Sequence, residues 1–114
     1  MANNELATLQ AASSTASALV RTANSVYLQI KRTGMANAQE RELLRIRLEE
    51  ARALETAEGI YTLHRQKLRH VRDLFDEAER YEGTARYAAM FSTALEASEM
   101  LEENIRQFVR RVSR

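Results

Sequence analysis

Apolar residues recur in steps of three and four along almost the whole chain. In the first third, Leu9, Ala12, Ala16, Leu19, Ala23, Val26 and Ile30 alternate those steps without a miss, the pattern of a helix with one continuous apolar seam. Val20 and Tyr27 widen the seam by one position. Asn3 or Asn4 is placed to cap the start, Glu5 suits the positive end of the helix dipole, and Lys31 and Arg32 suit the negative end before Gly34 stops the helix. A first helix is expected over residues 4–33.

Asn37 and Glu40 then have the spacing of a capping box, with Asn in the Ser/Thr position, and open a stretch that runs to Glu82 without proline. One seam within it reads Leu43, Ile46, Ala53, Ala57, Ile60, His64, Val71, Leu74, Ala78 and Tyr81. A second, one position over, reads Leu54, Tyr61, Leu68 and Phe75, while Leu44 and Ala51 widen the N-terminal half on the opposite flank. The only interior glycine is Gly59, which costs a helix only about 1 kcal/mol, and its neighbours bring no other turn chemistry. A single central helix over 38–82 is therefore expected, with two helices the outcome if it breaks at Gly59.

Gly83 and Thr84 close that stretch and cap a last helix over 85–112, whose inward positions are Tyr87, Phe91, Ala94, Ser98, Leu101, Ile105, Phe108 and Val112. The expected fold is all-α: one domain over 1–114, an antiparallel bundle of three helices with a long central one, or four if Gly59 breaks it, packed in coiled-coil fashion. At about 1.5 Å per residue the central helix would run roughly 65 to 70 Å, half as long again as its companions. Several of its apolar turns would then lack cover, which is the motive for expecting a homodimer.

Composition narrows the function classes. The 17 basic and 16 acidic residues nearly cancel to a formal charge of +1, so no overall field selects nucleic acid or an anionic membrane. All basic residues except Lys31 and Lys67 are arginine. Without cysteine there are no disulfides, thiolate nucleophiles or thiolate metal sites. No run of about 18 apolar residues and no basic-then-apolar leader is present, so a cytoplasmic protein is expected.

Candidate chemistry is sparse. His64 and His70 are too far apart to share a helix face as a metal pair would, and no glycine-rich loop, nucleophile elbow or isolated carboxylate pair suggests catalysis. His70, Asp73 and Glu77 share a face that reads as a solvated, charge-paired surface. No enzyme, cofactor or metal is expected. His64 lies on the apolar seam and is expected to be a hydrogen-bonded core or interface histidine. Glu50 and Lys67 interrupt apolar positions and are expected to mark where the helix meets water.

The expected function is a non-enzymatic protein–protein interaction module of adaptor, chaperone or inhibitor type, with Leu54, Tyr61, His64, Leu68 and Phe75 as the candidate partner interface. The alternative is a small nucleic-acid-binding accessory protein. Arg65, Arg69 and Arg72 form one stripe for it, and Arg110, Arg111 and Arg114 cluster at the C-terminal end, able to follow a phosphate backbone.

Overall fold

The computed structural model describes the backbone of residues 2–113 and the side chains of residues 5–113. The expected caps Asn3 and Asn4 and the expected anion contact Arg114 lie outside the described side chains. Among the described residues there are four helices: α1 (Ala2–Thr33), α2 (Ala38–Glu55), α3 (Thr62–Glu79) and α4 (Tyr87–Val112). Each packs on the next in sequence and α4 closes the ring against α1.

Neighbours run antiparallel. Ser25 reaches Glu40 while Thr8 reaches Glu58, Arg41 reaches Glu79 and Glu82 while Glu55 reaches Arg69, and Phe75 meets Phe91 while His64 meets Phe108. The bundle measures 48 × 22 × 21 Å, and its length is that of α1 alone at about 1.5 Å per residue.

The seam expected for α1 is buried throughout, from Leu9 to Ile30, at 3% exposure or less. Its small residues allow close approach: Ala12, Ala16 and Ala23 sit in one core with Phe91 and Ala94 of α4. Tyr27 stacks on Phe91 at 6.4 Å. Gly34 ends α1 at φ +79°, donating its N–H to the Ile30 carbonyl at 2.7 Å. Asn37 caps α2 as expected, its Oδ1 accepting from the amides of Gln39 and Glu40.

The expected continuous central helix is not what forms. It breaks between Thr56 and Tyr61, and Gly59 adopts φ +92°, a conformation that L side chains rarely take. A Cβ at Gly59 would meet Thr8 Oγ1 at 3.2 Å and the Glu5 backbone at 3.4 Å, so the turn lies directly on α1. The Thr8 hydroxyl fastens it by donating to the Glu58 carbonyl at 2.9 Å. Burial decides the outcome. A rod of about 70 Å would project well past α1, whereas folding it back places Ile60, Leu68, Val71 and Phe75 in a shared core.

The break also resets the helix phase. In α2 the inward face is Leu44, Leu48, Ala51 and Glu55, and the expected seam residues Leu43 and Ile46 are exposed at 39% and 44%. Ala53 is exposed as well. In α3 both expected seams point inward, burying His64, Leu68, Val71, Phe75 and Ala78. The α4 seam is buried from Tyr87 to Ile105, then opens, with Phe108 half-buried and Val112 43% exposed.

Candidate functional site

The residues expected to form a partner interface divide between core and surface. Leu68 and Phe75 are each 1% exposed and belong to the core, covered by their own chain. Leu54 is half-buried and packs against that core. Tyr61 is 39% exposed, with His64, 4% exposed, beneath it. Part of the flank that motivated a homodimer, at Leu68 and Phe75, is thus closed by the bundle itself, while Leu43 and Ile46 on α2 stay exposed.

Tyr61 and His64 meet α4 at one end of the molecule. Tyr61 is the N-cap of α3 and His64 lies in its first turn, opposite Phe108. The Tyr61 and Phe108 ring centroids are 4.9 Å apart, and the His64 imidazole stands edge-on to Phe108 at 5.2 Å and to Tyr61 at 6.0 Å. Such aromatic contacts add about 0.5–1.5 kcal/mol each beyond the area they bury. The Arg111 guanidinium lies over the other part of this cluster, 5.4 Å from the Phe108 centroid.

The cluster stays open because α4 is 26 residues long and α3 only 18. With Phe108 level with the first turn of α3, the next inward position, Val112, passes the end of that helix. Arg110 and Arg111 are exposed there and make no ion pair among the described residues, whereas Arg106 is engaged by Glu102 and Glu103.

His64 departs from the expected hydrogen-bonded histidine: its Nδ1 is buried with no hydrogen-bond partner. Burial holds its pKa below the ordinary 6.5, and the charge of Lys67 pushes in the same direction. The imidazole is therefore neutral in the folded protein near neutral pH.

Arg65, Arg69 and Arg72 do not form a free cationic stripe. They converge on Glu55, the last residue of α2, whose side chain is 6% exposed. Arg72 grips both carboxylate oxygens, through Nε to Oε2 and through Nη2 to Oε1 at 3.0 Å, while Arg69 Nε donates to Oε1 at 3.4 Å. Arg65 instead donates to the Glu55 and Ile60 carbonyls, groups that the helix break deprives of their intrahelical partners. The hydrogen bond from Arg72 dominates in lowering the Glu55 pKa, with Arg69 adding to it against the opposing effect of burial. The stripe thus pins the α2–α3 turn.

Sequence reasoning missed Glu55, although a signal was present. Leu44, Leu48, Ala51 and Glu55 follow the four-three-four spacing, which places a carboxylate on the inward face of α2. A second cross-helix clamp was also missed: Arg41 pairs with Glu79 at 2.9 Å and Glu82 at 2.6 Å. Glu79 in turn accepts from the buried Tyr87 hydroxyl at 3.3 Å. Burial pushes the Tyr87 phenol well above its ordinary pKa, and the nearby Glu79 and Glu82 charges add to the shift.

Two surface grooves flank α3. One, of about 360 Å³ between α2 and α3, has Leu44, Leu48 and Phe75 in its floor and charges of both signs on its rim. The other, of about 200 Å³ between α3 and α4, is lined by Val71, Leu101, Met100, Lys67, His70, Ala97 and Asn104. Glu50, which interrupts the expected seam, is exposed and paired with Arg47, and Lys67 is half-buried at the second groove. Among the described residues no cluster of three or more metal-binding side chains occurs, and no helix is long and apolar enough to cross a membrane.

Comparison of the chain with family models, with curated proteins and with solved structures finds no match.

Proposed function

We propose that this protein is a non-enzymatic, cytoplasmic protein–protein interaction module of adaptor type that binds its partner at the open end formed by α3 and α4. The observation that carries this reading is the Tyr61–Phe108 pair, partly open to solvent beside Arg110 and Arg111 where α4 outruns α3. Aromatic and arginine side chains in one patch are the composition that dominates binding energy in protein interfaces. The bundle supplies a rigid mount: His64 and Phe108 pack below the exposed ring of Tyr61 and hold it in place. A preorganised patch binds without the entropy cost of ordering itself.

Affinity purification from the native cell tests the proposal, using wild type beside Tyr61→Ala and Arg111→Glu. One partner enriched by wild type and lost with both variants, while circular dichroism shows them folded, is the expected result. Equal recovery with all three proteins refutes the assignment of this end.

Self-association is a second reading, favoured by the exposed Leu43 and Ile46 on the outer face of α2. Sedimentation velocity at micromolar concentration separates the two. A dimer abolished by Ile46→Glu supports self-association, and a single species near the chain mass of 13.0 kDa excludes it. The nucleic-acid alternative loses one of its two surfaces, because Arg65, Arg69 and Arg72 are engaged by Glu55 and by backbone carbonyls, and keeps only the exposed Arg110 and Arg111.

A further inference from the structure

The start of α3 and the last two turns of α4 meet at the open end of the bundle, and neither is firmly held. α3 begins at Tyr61 with no side-chain cap and no acidic residue in its first turn. Among the described residues α4 has none buried after Ile105: Phe108 and Val109 are half-buried, and Arg110, Arg111, Val112 and Ser113 are exposed. Of the three rings at this junction only His64 is withdrawn from solvent, at 4% exposure, and it stands edge-on to both others, 5.2 Å from Phe108 and 6.0 Å from Tyr61. The contact between the two helix ends is centred on an imidazole.

That imidazole suits its place only while neutral. In the imidazolium both ring nitrogens are donors, so the buried Nδ1 becomes a charged donor with no acceptor beside it. His64 is also the third residue of α3, where the helix dipole disfavours a cation. The cations around it are Lys67 and Arg65 on its own helix and Arg111 of α4, which lies over the Phe108 ring. The carboxylates of the packed elements are turned elsewhere: Glu55 of α2 to Arg69 and Arg72, and Glu102 and Glu103 of α4 to Arg106. Glu5 of α1 and Glu58 of the α2–α3 turn lie beside Gly59 and Thr8. Burial first and Lys67 second hold the His64 pKa down, and none of these carboxylates opposes them.

We propose that His64 is an acid-operated latch: its neutral ring holds the start of α3 against the last turns of α4, and protonation expels the ring and parts Tyr61 from Phe108. The movement is confined to that end of the molecule. Further into the bundle Leu68 and Val71 of α3 and Leu101 and Ile105 of α4 are 2% exposed or less, and Arg72 stays on Glu55. Segments with few buried contacts open locally while the core stays closed. Because one proton drives the change, the ratio of open to closed ends rises by up to tenfold for each unit that pH falls below the ordinary 6.5. The patch that parts is the one assigned to the partner above, so the use of the latch, release of that partner in acid, rests on the interaction reading. The latch itself does not.

The test is an NMR titration of the full chain from about pH 7.5 to about pH 5, the range in which histidine changes charge. Nuclear Overhauser contacts of Phe108 with Tyr61 and with His64 are followed, and the Phe75–Phe91 pair, 5.4 Å apart in the core, is the internal reference. The two Phe108 contacts should fade at the midpoint where the His64 ring takes up its proton, below 6.5, while Phe75–Phe91 persists. His64→Leu should keep the Tyr61–Phe108 contact throughout, and His70→Asn, which removes the other histidine, should behave as wild type. Phe108 contacts that survive protonation of His64 overturn the latch, as does a ring still neutral at the acid end of the titration. Loss of Phe75–Phe91 at the same midpoint overturns it in favour of unfolding of the whole bundle, and the same fading in His64→Leu assigns the effect to another group. Should His64→Leu not fold, the wild-type titration against the Phe75–Phe91 reference decides alone. No partner enters these measurements, so failure of the latch leaves the interaction reading to its own test.

Discussion

Gly59→Ala separates the two folds open to the central stretch because they predict opposite signs. In an unbroken helix alanine replaces glycine to advantage, raising stability by about 0.5–1 kcal/mol. In the four-helix bundle Gly59 has φ +92°, and an L residue there pays about 1–2 kcal/mol of backbone strain. The new Cβ would also press on Thr8 Oγ1 at 3.2 Å, disturbing a hydroxyl that donates to the Glu58 carbonyl, a bond with a net contribution of about 0.5–1.5 kcal/mol. With part of that contact relaxing, the sum is about 1.5–3 kcal/mol of destabilisation. At roughly 4 °C per kcal/mol for a chain of this size, the melting temperature should fall by about 6–12 °C. Thermal unfolding followed by far-ultraviolet circular dichroism measures it directly. The double variant Gly59→Ala/Thr8→Ala should show less than additive loss, since removal of Thr8 Oγ1 relieves the contact but leaves the strain. An unchanged or higher melting temperature for Gly59→Ala would refute the break and the phase reset built on it.

Three further predictions concern the clamps and the caps. Glu55→Gln should cost about 1.5–3 kcal/mol in urea unfolding, below the largest values for buried pairs because Arg69 is mostly exposed and Arg72 partly so; wild-type stability would show that the cluster carries no weight. Acid should lower the stability of the fold in two stages. The folded His64 imidazole resists protonation, so its contribution is complete above the ordinary 6.5 and declines as pH falls below it. Glu55, held below its ordinary 4.5, contributes fully above that value and is lost at lower pH. His64→Leu should abolish the first stage and keep the second in a stability-versus-pH series; persistence of the first stage in that variant assigns it elsewhere. Asn37→Ala removes the oxygen that caps α2 and should destabilise by about 1 kcal/mol, with Asn37→Asp close to wild type.

The interaction reading draws on residues that the sequence flagged for separate reasons. Tyr61 and His64 stood on two neighbouring seams and Arg110 and Arg111 at a terminus, and only the antiparallel return of α4 puts them side by side. Arg65, Arg69 and Arg72 share a helix face, but their spacing along the chain carries no information about Glu55, which reaches them across a turn.

Local periodicity by itself determined the all-helical class, the extent of α1 and α4 to within a few residues, the buried face of α1 from Leu9 to Ile30 and the cap at Asn37. In each case the deciding interactions lie within one helix or recur every turn, so a short window of sequence contains them. Tertiary structure alone decided whether the middle stretch stayed whole. Gly59 costs a continuous helix only about 1 kcal/mol and is also suited to a turn, so the choice belongs to α1, whose length sets how much apolar surface a rod or a hairpin can cover. From that choice followed the inward turn of Leu44 and Glu55, the exposure of Leu43 and Ile46, and the open end at Tyr61 and Phe108, since a six-residue interruption frees α2 and α3 to take separate helix phases.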